Sequence, residues 1–187
     1  MSATTTSSSP PSAAQSRPPA RAWVPWAATA TRLLLGGVML AAGAVKVGDL
    51  DGSVWAVRAY DLLPVGLAEV VGRVLPFAEV LLGMLLVTGL LTRWAAAGTA
   101  FLMLGFSVGI ASAWARGLAI DCGCFGGGGP IDPEDVSYLP DLLRDGALLA
   151  LAALLAWRPT SRLSLDGALG AGALPADEPE RSTDVRD

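Results

Sequence analysis

Four long apolar stretches stand out along the chain, and each approaches the length needed to cross a bilayer. A hydrocarbon core of about 30 Å requires roughly 20 mostly apolar helical residues. The predicted spans are residues 26–47, 67–91, 94–114 and 140–157. The third span carries no charge, whereas the fourth is long enough only if its helix begins near Pro140 and includes three charged side chains. The pattern predicts an all-α fold, an integral membrane four-helix bundle.

The two ends of the chain lack this pattern. Residues 1–25 are dominated by Ser, Thr, Ala and Pro, and residues 159–187 by Pro, Gly and charged side chains. Such segments bury too little apolar surface to offset the entropy lost on ordering. We therefore predict two disordered tails around a transmembrane domain at 26–158. The first tail has no basic start with an early apolar run, so a cleaved signal peptide is not expected.

Basic residues near the spans favour one orientation. Arg93 occupies the very short second loop, whereas the third loop, residues 117–139, is acidic. Positively charged residues accumulate on the cytoplasmic side of membrane proteins. The pattern predicts a multi-pass protein of the inner or plasma membrane, with both termini cytoplasmic and the third loop outside. The other basic residues that support this orientation are Arg17, Arg21, Arg32, Arg158 and Arg162.

Composition limits the chemistry. The mean hydropathy is +0.51, the net charge is −4, and the chain contains no histidine. A chain this apolar and without a basic run is expected to contact the lipid bilayer and no nucleic acid. A histidine base is excluded, and two cysteines without histidine do not complete a four-ligand zinc site, so no metal is expected. The bias toward Ala, Gly, Leu and Arg is typical of bacterial proteins from GC-rich genomes.

The distinctive chemistry lies in the third loop, where Cys122 and Cys124 flank Gly123. A disulfide requires Cα atoms about 4.4–6.8 Å apart, which a glycine bend permits between residues two apart. So small a ring stabilises little, and strained exposed disulfides are typical of labile or catalytic pairs. We therefore favour a redox-active pair as the catalytic group. Inert buried cysteines, an incidental disulfide and a metal site remain alternatives.

Two features of the loop bear on this hypothesis. The glycines at 126–129 predict a loop that swings toward a partner. Arg116 is the nearest preceding cation in the sequence and is expected to stabilise a thiolate, whereas Asp121 opposes one.

Glu79 is the second unusual residue, because it lies well inside the second span, after Pro76. Intramembrane acids usually face a bundle interior and pair with another group. Lys46, Arg73 and Arg32 are candidate partners. We favour a structural bond between helices, and a proton relay or a contact with a quinone headgroup is the alternative. Pro76 is predicted to kink the helix.

Several short motifs resemble the MauE family, the methylamine-utilisation membrane proteins, within the broader DoxX-like group. Together they cover about residues 28–157. The motifs are Ala-Gly-Ala-Val-Lys at 42–46, Ala-Tyr-Asp-Leu-Leu-Pro at 59–64, Leu75-Pro76 with Glu79 and Gly83, and Asp-Cys-Gly-Cys-Phe-Gly-Gly at 121–127.

The resemblance implies a redox-associated membrane protein that works with a thioredoxin-like extracytoplasmic partner in maturing exported proteins. The setting would be methylamine metabolism. Similar four-helix thiol oxidoreductases pass electrons to quinone, which makes quinone a candidate cofactor. Those proteins carry further cysteines that this chain lacks, so the resemblance does not require a cofactor. Two classes remain open beside a thiol–disulfide oxidoreductase or its membrane helper. One is a non-catalytic scaffold or assembly subunit, and the other is a small transporter that uses Glu79.

Overall fold

The structure is a computed structural model that describes residues 24–157 of the 187-residue chain. The two predicted tails lie almost entirely outside these residues. The elements are α1 (Val24–Val47), α2 (Leu50–Ala59), α3 (Val65–Thr88), α4 (Thr92–Ala115), β1 (Ile120–Asp121), β2 (Gly129–Pro130), a short 3₁₀ helix (Pro133–Asp135) and α5 (Tyr138–Trp157).

Three of the described helices are long and apolar enough to cross a membrane. They are Trp26–Val47 within α1, Val65–Thr88 (α3) and Thr92–Ala115 (α4). Most of their outward side chains are apolar; Trp94 and Phe101, for example, are each 74% exposed. Continuous apolar surfaces of this kind are costly in water and suit contact with lipid. The protein is therefore a largely helical membrane protein.

α5 covers the fourth predicted span, but it is not among the described helices whose length and composition suit membrane crossing. Its 20 residues begin at Tyr138, and its first half carries Asp141, Arg144 and Asp145. The helix packs along α4, and its second half joins the apolar core through Ala152 and Leu155. A four-helix membrane bundle, with α5 as the fourth span, stays a prediction.

Two elements depart from the simple four-helix expectation. α2 lies in the first loop, where the Asp49 side chain accepts a hydrogen bond of 2.9 Å from the Gly52 N–H and caps the helix. At 10 residues, or roughly 15 Å, α2 is too short to cross a bilayer. It packs against α3, where a Cβ on Gly72 would lie 2.6 Å from Val54 Cα. The other departure is the small β1–β2 sheet in the third loop.

Glycines bring α1 and α3 close together. A Cβ on Gly36 would lie 2.7 Å from Val87 Cγ2, and one on Gly83 would lie 2.9 Å from Leu40 N. Small residues allow such close approach in lipid, where packing rather than hydrophobic exclusion drives association. α3 then ends at Gly89, whose left-handed backbone (φ 71°) terminates the helix and leads into α4.

Candidate functional site

The third loop is closed on itself. β1 and β2 pair antiparallel, with Ile120 opposite Pro130 and Asp121 opposite Gly129. Between the strands, the Asp121 carboxylate accepts hydrogen bonds from the N–H groups of Gly123 at 3.4 Å and Gly128 at 3.2 Å. Asp121 therefore uses both carboxylate oxygens to hold the cysteine segment in one conformation.

The glycine run is explained by packing rather than by the swinging motion proposed from the sequence. All four glycines at 126–129 have positive φ, a region that disfavours side chains. A Cβ on Gly128 would lie 2.4 Å from Ala56 Cβ, and one on Gly129 would lie 2.2 Å from Trp55 Nε1. The run lets the loop backbone lie directly against α2.

The two cysteines occupy different environments. Cys124 is buried among Ile110, Ala113 and Tyr138, whereas Cys122 is only partly buried. Both are free thiols, and the Cys124 N–H donates to Cys122 Sγ at 3.4 Å. The hydroxyl of Tyr60, at the end of α2, donates to the Cys122 carbonyl at 2.9 Å. The pair is thus fixed in position, with Cys122 as the more accessible sulfur.

Charged residues at the start of α5 surround the thiols. Arg144 Nη2 lies 3.7 Å from Cys122 Sγ, and Asp145 Oδ2 lies 3.8 Å from Cys124 Sγ. Arg144 Nε also donates to Asp145 Oδ1 at 3.0 Å, and its Nη1 pairs with Asp141 Oδ1 at 3.1 Å. A cation therefore contacts one sulfur and a carboxylate contacts the other.

This asymmetry separates the two thiols in acidity. The pKa of Cys122 is lowered to about 7, chiefly by the hydrogen bond from the Cys124 side chain, with smaller help from the Cys124 N–H and Arg144. Burial opposes that shift. The pKa of Cys124 is raised by its bond to Cys122, by burial and by the negative charge of Asp145. Near pH 7 about half of Cys122 is therefore thiolate, whereas Cys124 stays protonated.

The sequence analysis did not predict Arg144 and Asp145 as site residues. It counted them only among the three charged side chains of the fourth predicted span. The available signal was their spacing, because Asp141, Arg144 and Asp145 stand at i, i+3 and i+4 of an otherwise apolar helix. Charges grouped on one face of such a helix mark a polar site inside the fold.

The structure places the Arg116 guanidinium at backbone carbonyls. The guanidinium donates to the backbone carbonyls of Tyr60 and Asp61, and its Nε donates to the Ser112 carbonyl at 3.3 Å. Arg116 directly follows α4, and Tyr60 and Asp61 directly follow α2, so these hydrogen bonds join the ends of the two helices. The cation at the Cys122 sulfur is Arg144.

Of its three candidate partners, Glu79 pairs with Lys46. Lys46 Nζ lies 2.6 Å from Glu79 Oε1, and the two side chains are 5% and 1% exposed. The ammonium also lies 5.1 Å from the centroid of the Phe106 ring. Pro76 is buried one turn before Glu79, and α3 continues as a helix through it. The ion pair joins α1 to α3.

Glu79 and Cys124 line the same small cavity. This cavity of about 10 Å³, roughly the room for one water, is lined by Glu79, Asp145, Cys124 and Phe125, among others. Glu79 Oε2 has no hydrogen-bond partner within residues 24–157. In that same range no cluster of three or more His, Cys, Asp or Glu residues suitable for a metal ion occurs.

Apolar spanning helices and a polarised thiol pair define a helical membrane protein with a thiol site. The family model described as "Methylamine utilisation protein MauE" matches residues 24–158, well over half of the chain. The chain belongs to the MauE family. No curated protein and no solved structure matches it.

Proposed function

We propose that this protein carries out or supports thiol–disulfide exchange outside the cytoplasm, with a thioredoxin-like partner, during maturation of exported proteins. Membership of the MauE family favours a process of the methylamine-utilisation type. The observation that carries the proposal is the opposed environment of the two sulfurs. A guanidinium lies 3.7 Å from Cys122 Sγ, and a carboxylate lies 3.8 Å from Cys124 Sγ.

This arrangement supports the following exchange. In the oxidised pair, the more accessible Cys122 sulfur is attacked by a partner thiolate; the Cys122–Cys124 bond breaks, and Cys124 takes up a proton through Asp145. A second partner thiolate then attacks the partner's own sulfur in the mixed disulfide. Cys122 leaves as a thiolate, which Arg144 stabilises, and a thiol of low pKa is the better leaving group. The partner gains a disulfide, and this chain retains both thiols.

We expect the pair to cycle between dithiol and disulfide at a potential at or above about −230 mV, whereas structural disulfides lie below about −300 mV. A small ring built around one glycine is strained, which makes it easier to reduce. A maleimide gel shift on membranes equilibrated in defined glutathione buffers measures this potential. A pair that stays reduced, or stays oxidised, across the whole range would contradict the proposal.

Trapping of a partner as a mixed disulfide shows which of the two sulfurs is attacked. Cys124→Ala should leave Cys122 able to hold a partner as a mixed disulfide on a non-reducing gel. Cys122→Ala is the matched control and should trap far less, because Cys124 is only 6% exposed. Full function of a double Cys→Ala variant in the host would favour the scaffold alternative instead. The transporter alternative gains no support, because Glu79 is bound to Lys46.

We further propose that both termini are cytoplasmic and that the third loop faces outward in the inner membrane. The proposal rests on Arg93 in the short turn and on the acidic third loop. Alkaline phosphatase fused after Gly129 should be active, and the same enzyme fused after Arg162 should be inactive. The opposite pattern would place the thiols in the reducing cytoplasm, where this exchange has no role.

A further inference from the structure

A cavity of about 470 Å³ adjoins the thiol site between α2, α3 and α4. One end is polar, with Lys46, Ser53, Tyr60 and Cys122 in its lining. The remainder is almost wholly apolar and is formed mainly by side chains of α3 and α4. Its size falls within the range of about 300–1,000 Å³ that small-molecule sites occupy.

The cavity borders the lipid-facing surface of the protein. Phe101, 74% exposed, and Gly105, also exposed, line it from α4. Nearer the α3–α4 turn the two helices are packed, since a Cβ on Gly98 would lie 2.9 Å from Leu82 Cδ2. Toward the thiol end they separate and leave the cavity between them. A ligand therefore reaches Cys122 laterally from the hydrocarbon region.

The exchange proposed above leaves Cys122 and Cys124 as a dithiol, and renewal of the disulfide requires a two-electron acceptor. The chain has no further cysteine to which the electrons could pass. The cavity shows the chemistry that a direct acceptor must have. It must be apolar enough to enter from lipid, and it must carry a polar redox-active head that fits beside Cys122 and Lys46.

We propose that this cavity binds a membrane quinone that reoxidises the thiol pair, an inference that rests on the proposed exchange. The two S–H bonds break, the S–S bond forms, and the quinone takes up two electrons and two protons to become the hydroquinone. Lys46 carries three N–H donors and gives one to Glu79, so it can also donate to a quinone carbonyl oxygen. The apolar walls between α3 and α4 hold the ring and its tail.

The test uses the full chain in nanodiscs, reduced and free of oxygen, with decyl-ubiquinone added. We expect one quinone to be consumed per two thiols lost, followed by quinone absorbance and thiol titration. Gly105→Leu adds a side chain where a Cβ meets no atom within 4 Å, at the lining of the cavity, and should slow the reaction at least about tenfold. Gly37→Leu is the matched control, because its Cβ is equally unobstructed but lies outside the cavity.

Binding is tested separately from chemistry with a photoreactive quinone analogue on the double Cys→Ser variant. Labelling should fall on α3 and α4 and be competed by decyl-ubiquinone. Absence of competed labelling, or equal rates for Gly105→Leu and wild type, would overturn the quinone site and indicate a cavity filled by lipid chains. Wild-type protein that exchanges with glutathione disulfide but reduces no quinone would overturn the site and leave the proposed exchange standing. Failure with glutathione disulfide, despite competed labelling, would overturn the exchange instead.

Discussion

Replacement of Glu79 by Leu is expected to lower the free energy of unfolding by roughly 3–5 kcal/mol, because it leaves the ammonium of Lys46 buried and without its counter-ion. Glu79→Gln should cost less, since the amide oxygen still accepts a hydrogen bond from Lys46 Nζ. The double variant Lys46→Met with Glu79→Leu should recover much of the loss, because neither charge remains. Unfolding in mixed micelles and protein abundance in membranes provide the measurements.

The chain contains a matched control for this experiment. Arg58 and Glu69 also form an ion pair, but their side chains are 37% and 40% exposed. Glu69→Leu should therefore change stability by less than about 1 kcal/mol. Normal abundance with lost activity in Glu79→Gln would contradict a structural role. That result would point to proton transfer through the small cavity that Glu79 shares with Asp145.

The membrane helices could be predicted because their signal is local. Unbroken apolar runs are costly unless they reach lipid, so α1, α3 and α4 begin and end within a few residues of the predicted spans. α2 has no such signal, because Asp51, Gly52 and Arg58 interrupt its apolar residues. Its helix depends on a cap at Asp49 and on packing against α3, and the second of these exists only in the folded chain.

The residues of the candidate site are visible in the sequence, but their surroundings are not. The spacing of Cys122 and Cys124 is visible in the sequence, and so is an acid inside a span at Glu79. The sequence predicted Arg116 as the cation that stabilises a thiolate, because Arg116 is the nearest cation before Cys122 in the chain. Distance along the chain was the only measure that the sequence offered. Helix packing instead brings Arg144, 22 residues beyond Cys122, to the sulfur. The lipid-facing cavity likewise depends on how far α3 and α4 separate, which no local pattern encodes.

The reactivity of Cys122 should depend more strongly on Cys124 than on Arg144. A pKa of about 7 makes about half of Cys122 thiolate at pH 7, whereas an ordinary value of 9.0 leaves about one part in a hundred. Cys124→Ala removes the hydrogen bond that lowers the pKa most, so the titration should move to higher pH. Arg144→Gln removes a smaller contribution and should produce a smaller shift in the same direction.

The measurement is the rate at which a neutral haloacetamide alkylates Cys122 between about pH 5 and 10. A thiolate of higher pKa is intrinsically more nucleophilic, which offsets part of the loss, so Cys124→Ala should react on the order of fivefold more slowly at pH 7. Arg116→Gln is the matched control and should leave the profile unchanged, because its guanidinium bonds only to backbone carbonyls. A profile that moves with Arg116→Gln and not with Arg144→Gln would reverse the assignment of the cation. A Cys124→Ala profile that moves to lower pH would show that Cys124 does not stabilise the Cys122 thiolate.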